Sequence, residues 1–306
     1  MLIYKSYYLN IRDMPNQANF LSIIKLLKPH HWIKNLIIFV PVIASHKLFQ
    51  QNLICETFLG IASFSMFASV GYIFNDIIDL ENDRAHPKKK GRILASKQLS
   101  IRFASQIASA AFLVGAVLAI AIHPIFFFAC LIYLIGSILY SLYIKTFKFF
   151  DIVALAFFFV FRIFLGALIS DIVLSAWLVT YSLCFFINLA TLKRYSELLY
   201  LTDIQANIGS IYIGENLKIL QSIGFFSGLC STLIFTAYTF SAEAKQLYRE
   251  PIILIMTLLL MTLWLVHLWK TAQRLKNIVD PTWFALTDKR SYLFLFFTIL
   301  TTLLAI

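Results

Sequence analysis

Charge is what this sequence has least of. Only 13% of its 306 residues are Asp, Glu, Lys or Arg, while 60% are hydrophobic. Soluble globular chains carry about 25% charged residues, so a soluble protein is excluded and a polytopic membrane protein is implied. Strict alternation of apolar and polar residues is also missing; the apolar runs are continuous, which excludes a membrane β-barrel. Cysteine is sparse and scattered. Cys55, Cys130, Cys184 and Cys230 stand singly, with no CxxC or Cys/His cluster, so neither a disulfide framework nor a zinc site is expected. The first twenty residues lack the apolar core of a signal peptide. The net charge of +11 is assigned to membrane topology and a polyanionic ligand, not to nucleic acid.

What is present is a set of long apolar runs. They predict an all-α chain of nine transmembrane helices, near Trp32–Phe49, Ile54–Phe74, Phe103–Ala121, Ile125–Ile144, Ile152–Ile169, Leu174–Leu192, Ile219–Phe240, Ile252–Trp269 and Tyr292–Ile306. Most match the roughly 20 residues a bilayer-crossing helix needs. His123-Pro124 marks a tight turn with proline starting the next helix. With the N-terminus in the cytoplasm, 22 Lys and Arg fall on the inner side and 3 on the outer, a strong positive-inside bias. The remaining one, Arg162, lies inside a span. No second soluble domain fits. The polar stretches Asp79–Arg102, Lys193–Lys218 and Lys270–Ser291 are expected to cap a site on the cytoplasmic face.

One stretch, Asn75–Arg92, concentrates charge immediately after the uncharged run Thr57–Phe74. Asp76, Asp79 and Asp83 are spaced i, i+3 and i+7, which places three carboxylates on one helical face. Three like charges together call for a cation, and Mg²⁺ is usually held by a few carboxylates plus substrate phosphates. Arg84, His86, Lys88, Lys89, Lys90 and Arg92 follow, a cluster suited to phosphate oxygens. Metal-binding acid beside phosphate-binding base at the mouth of a membrane helix points to a diphosphate site; a solvated topogenic loop is the blander explanation. Lys145, Lys193 and Arg194 end spans at the same face, where they either touch substrate or snorkel to headgroups. An arginine at a helix centre costs about 2.5–3.5 kcal/mol on insertion scales. Arg162 therefore faces a polar cavity or a phosphate, or pairs with Asp151 or Asp171. His30 and His31 are expected to anchor at the interface, and His46, His123 and His267 are isolated.

The whole stretch reads N-D-x-x-D-x-x-x-D-R-x-H-P-x-K-x-x-R and resembles the signature of the UbiA superfamily of intramembrane prenyltransferases. The sequence departs from that pattern at Ile93, where proline is usual, and at Lys97, where glycine is common. The superfamily's second acidic motif, D-x-x-x-D, is missing: four residues after Asp151 stands Leu155. Other segments resemble the branch of polyprenyl-phosphate phosphoribosyltransferases. KLLKPHHWIKNLIIFVP carries Lys34 and Asn35; YSLYIK carries Tyr140, Tyr143 and Lys145; Arg162 and the KRYSEL segment Lys193–Leu198 follow. The resemblance implies one UbiA-like domain over residues 1–306 in a bacterial cytoplasmic membrane, with the site on the cytoplasmic side. It implies Mg²⁺ held by Asp76, Asp79 and Asp83, with Asp76, Asp79, Lys34, Tyr140 and Lys145 as catalytic residues. Asn35, Asn75, Arg84, Lys89, Arg92, Arg162, Lys193 and Arg194 would bind substrate. The implied reaction moves 5-phosphoribosyl from phosphoribosyl diphosphate to a polyprenyl phosphate. An aromatic prenyltransferase predicts the second aspartate pair that is absent. A lipid or polyanion transporter predicts ionisable residues deep in several spans, where only Arg162 is found.

Overall fold

The uncharged run of the sequence builds one of the two longest helices, because in a bilayer its backbone must satisfy its own hydrogen bonds. The computed structural model describes residues 20–86, 89–203, 217–275, 284 and 287–306, and every regular element among them is helical. In order, the α-helices are α1 (Phe20–Leu27), α2 (Val40–Ala44), α3 (Gln51–Ile78), α4 (Leu80–Ala85), α5 (Ile101–Ile122), α6 (Pro124–Leu142), α7 (Phe150–Ser170), α8 (Ala176–Asp203), α9 (Leu217–Thr239), α10 (Ala242–Leu247), α11 (Leu254–Leu275) and α12 (Lys289–Ala305). Seven helical stretches, built on α3, α5, α6, α7, α8, α9 and α11, are long and apolar enough to cross a membrane. The expected count of nine is not reached among the described residues. α12 has 17 residues, short of the usual span. The expected first span is a 3-10 helix, Pro29–Phe39, running into the short α2.

That first segment departs from an α-helix for local reasons. Lys28 takes a left-handed conformation at its start, and Pro29 and Pro41 remove amide donors. Its side chains are tied elsewhere. Trp32 Nε1 donates to Ser69 Oγ at 3.0 Å, and Asn35, wholly buried, donates to Ser65 Oγ at 2.9 Å. The segment lies directly on α7 at Gly166, where a Cβ would fall on the Ile38 carbonyl oxygen. Drawn out at about 2.0 Å per residue, the eleven 3-10 residues and α2 still extend for about 30 Å.

Two cores lie side by side. The first joins α3, α5, α6 and part of α7 around Phe64, Phe67, Phe126 and Leu165. α5 meets α3 through a seam of small buried residues, Ala104, Ala108, Ala111, Gly115 and Ala119, the close-approach surface that membrane helices use. The second joins α8, α9 and α11 around Leu192, Tyr195, Leu220 and Leu268, with Ile152 of α7. Asn188 ties this core, donating to the Gly224 carbonyl at 2.5 Å and accepting from Trp269 Nε1 at 3.0 Å. α7 belongs to both cores, and a polar cavity opens beside it. The turn at His123-Pro124 is as the sequence predicts: His123 Nδ1 caps α6 by accepting from the Ile125 amide at 3.1 Å, with Pro124 in the first turn. Two of the expected caps begin as helix. α8 continues to Asp203 and α11 to Leu275, and residues 204–216 and 276–283 lie outside the described part.

Candidate active site

A cavity of about 610 Å³ lies among α3, α4, α6, α7 and α8. α3 and α4 contribute Tyr72, Asn75, Asp79, Asn82 and Asp83, followed by His86, Lys89 and Arg92. α6 contributes Tyr133, Ser137, Tyr140 and Ser141, with Lys145 just past its end, and Lys34 enters from the 3-10 segment. α7 gives Leu155, Phe158, Phe159 and Arg162; α8 gives Lys193, Arg194 and Glu197. The lining therefore holds seven Lys or Arg against three carboxylates, Asp79, Asp83 and Glu197. Such an excess in a low-dielectric recess attracts anions.

The carboxylate wall differs from the expected one. α3 ends at Ile78, Asp79 caps it, and α4 starts afresh. The residues that line the cavity are Asn75, Asp79 and Asp83, every fourth position. Asp76 is not among them. One residue round the helix from Asn75, by about 100°, it points to the start of the 3-10 segment. There Lys28 Nζ reaches both its oxygens at 2.8 and 2.7 Å. Arg92 then bridges Asp83 at 2.6 Å and Asp76 at 3.1 Å, and Lys145 pairs with Asp79. Burial pushes the Lys28 ammonium below its usual range against the pull of Asp76, and pushes the Asp83 carboxyl up against the pull of Arg92. His86 is lowered by burial and then by Lys89.

The donor chemistry of Asn75, Asp79 and Asp83 fits a hard divalent cation: three oxygen-bearing side chains on successive turns, all facing one space. Among the described residues no set of three or more His, Cys, Asp or Glu closes a metal cage by itself. An Mg²⁺ site is usually completed by substrate phosphates and water.

The far wall is cationic and tightly braced. Arg194 donates from Nε to Asp151 at 2.5 Å, from one terminal nitrogen to Glu197 at 2.7 Å, and from the other to Tyr140 at 2.9 Å. Asp151 thus pairs with Arg194, not with Arg162. Arg162 has no carboxylate partner among the described residues. It donates to Asn35 Oδ1 at 3.1 Å, to Tyr133 at 2.8 Å and to the Phe158 carbonyl at 2.5 Å. The rings of Phe64, Tyr133 and Phe159 lie 5.2–5.4 Å from its guanidinium carbon.

Of the expected site residues, Lys34, Asn75, Asp79, Asp83, Lys89, Arg92, Tyr140, Lys145, Arg162, Lys193 and Arg194 share this cavity. Asp76 and Asn35 stand behind it as braces. Arg84 turns outward to Glu81 at 2.8 Å. Pro87 and Lys88 of the motif lie outside the described residues. Sequence reasoning missed Lys28, whose only signal is its place before Pro29, and Asn82 and Tyr133, which carry no spacing that singles them out; Glu197 stands in the KRYSEL segment, which gives it no role of its own.

The family model described as the UbiA prenyltransferase family matches residues 35–296. Uncharacterized protein y4nM of Sinorhizobium fredii is 28% identical over 269 residues, 87% of this chain and 52% of that protein. Nodulation protein NoeC of Azorhizobium caulinodans is 30% identical over 58% of each chain. A decaprenyl-phosphate phosphoribosyltransferase of Corynebacterium glutamicum is 29% identical over 58% of this chain and 55% of its own. The chain thus spans between about half and three-fifths of the length of these relatives. The fold is similar to that of a UbiA homologue from Archaeoglobus fulgidus bound to GPP and Mg²⁺, with a TM-score of 0.64 at 17% identity over 92% of this chain and 99% of that one.

Proposed function

The chain belongs to the UbiA prenyltransferase family, and from that premise we propose that it transfers 5-phosphoribosyl from phosphoribosyl diphosphate to a polyprenyl phosphate. The observation that carries this reading is the cationic far wall. A prenyl diphosphate has one anionic end, which the Asp79/Asp83 side of the cavity and its flanking bases would hold. Here Lys193 faces that side from α8 beside the carboxylate-paired Arg194, and Arg162 lies deeper without a carboxylate partner among the described residues. Two phosphorylated substrates bring three separate phosphate groups: the diphosphate, the ribose 5-phosphate and the lipid phosphate. The Corynebacterium relative supports the same chemistry.

In this mechanism Lys89, Arg92 and Lys145 hold the diphosphate, and Lys34 and Arg162 hold the 5-phosphate. Lys193 draws the lipid phosphate, whose repulsion from the donor these cations screen. An oxygen of the lipid phosphate attacks C1 of the ribose as the C1–O bond to diphosphate breaks, and the bonding pair leaves with diphosphate. The nucleophile is already anionic, so no general base is needed. Asn75, Asp79 and Asp83 would hold Mg²⁺, which supplies Lewis-acid stabilisation of the leaving diphosphate. Tyr140, fixed by Arg194, keeps a hydroxyl in the cavity as a donor to phosphate. We read the site as cytoplasmic, in a bacterial cytoplasmic membrane, and the chain as one domain.

The apolar wall of Leu155, Phe158 and Phe159 favours a second reading, transfer of a prenyl group from its diphosphate to an aromatic acceptor. Membranes containing the protein, Mg²⁺, polyprenyl phosphate and radiolabelled phosphoribosyl diphosphate separate the two. Label entering the organic phase, and lost in an Asp79→Asn/Asp83→Asn variant, is the expected result. Label that moves only from a prenyl diphosphate to an aromatic acceptor would overturn the phosphoribosyl reading.

A further inference from the structure

We propose that Glu197 accepts hydrogen bonds from the pentose hydroxyls of the donor, so that α8 selects a sugar as well as a charge. The inference rests on the phosphoribosyl reading above. Arg194 carries one positive charge and meets two carboxylates. Asp151, with no exposed surface, is enough to balance it. Glu197 is surplus to that balance, and its side chain keeps 19% exposure on the cavity wall.

A surplus carboxylate is out of place in a wall built for phosphate, which it repels. Lys193, one turn earlier on α8, and Lys89 share the cavity with it and offset part of that repulsion. An ionised carboxylate has only acceptor oxygens. In a phosphorylated pentose the groups that can satisfy it are hydroxyls, and an acidic side chain on a ribose hydroxyl is a known device of nucleotide sites. Arg194 fixes Oε2 at 2.7 Å and is the only hydrogen-bond partner of Glu197 among the described residues, so Oε1 is left for the ligand. Arg194 is itself held by Asp151 and Tyr140. The acceptor is thereby preorganised, which is what selectivity between close analogues requires.

The test uses the full chain in detergent, with polyprenyl phosphate and either phosphoribosyl diphosphate or its 2-deoxy and 3-deoxy counterparts, across a Mg²⁺ series. The wild type is expected to prefer the intact ribose by about ten- to a hundredfold in kcat/KM over at least one deoxy donor. Glu197→Ala should lose that preference by slowing the ribosyl donor, keep the deoxy donor within about twofold, and leave the Mg²⁺ requirement unmoved. Equal loss with all donors would make Glu197 a structural counter-ion, and a shifted Mg²⁺ requirement would make it a metal ligand; either overturns the proposal. Should Glu197→Ala not fold, Glu197→Gln and the wild-type preference decide, since a wild type indifferent to both hydroxyls refutes it. A wild type that moves no pentose at all overturns the phosphoribosyl reading itself. A wild type that moves pentose with an unchanged ratio in the variants overturns this inference alone.

Discussion

Lys97 sits in the left-handed region, at φ 59°, where a side chain with a Cβ is strained by about 1–2 kcal/mol. The position closes the turn before α5, and Gln98 N bonds back to the Ile93 carbonyl at 3.0 Å. Lys97→Gly is expected to stabilise the protein by up to about 1 kcal/mol, seen as a raised thermal midpoint in detergent with transfer unchanged. Asp76 and Asp79 give a sharper contrast. Asp76, itself buried, neutralises the half-buried Lys28, so Asp76→Ala should cost stability, up to about 3 kcal/mol. Asp79→Ala should leave the melting curve nearly in place and abolish transfer. Paired thermal melts and activity assays of the two variants check this; an Asp76 variant of normal stability and no activity would reverse the assignment. The aspartates were legible in the sequence, but not which of them face the cavity. Spacings of three and four both keep residues on one helical face, and only the break at Asp79 decides between them.

At the scale of elements, the apolar runs announced their helices, and the His123-Pro124 turn announced its cap. The 3-10 segment could not be seen that way, because its composition is that of a span. Its shape comes from tertiary ties: Trp32 to Ser69, Asn35 to Ser65, and Ile38 against Gly166. Gly166→Ala tests that contact. The new methyl would meet backbone, which cannot step aside as a flexible side chain can. A loss of about 1–3 kcal/mol is expected, measured as a lower thermal midpoint. Gly136→Ala serves as control, since its Cβ would meet Phe158 only at 3.5 Å.

Across the whole molecule, the site is an arrangement of walls that no single motif contains. α3 and α4 bring oxygen donors, α6 and α7 bring Tyr140 and Arg162, and α8 brings the cations that face them. The charge cluster at 75–92 was legible because charge is so rare elsewhere. Tyr133 was not, and Glu197 was legible as a member of KRYSEL but not in its role, because both depend on helices distant in sequence. Removing divalent cations with a chelator is expected to stop transfer, and added Mg²⁺ to restore it. In the Asp79→Asn/Asp83→Asn variant Mg²⁺ should restore nothing, as a titration of label transfer would show.

Arg162 also bears on how the chain is made. Its partner Asn35 lies 127 residues earlier, so at roughly 5–20 residues per second the amide leaves the ribosome well before the arginine does. Tyr133 and Phe64 precede it as well. A guanidinium costly to leave in lipid thus enters a bilayer that already holds its acceptors, carried by α7, the most apolar of the seven candidate spans. The order of synthesis supplies a dock before the cargo arrives.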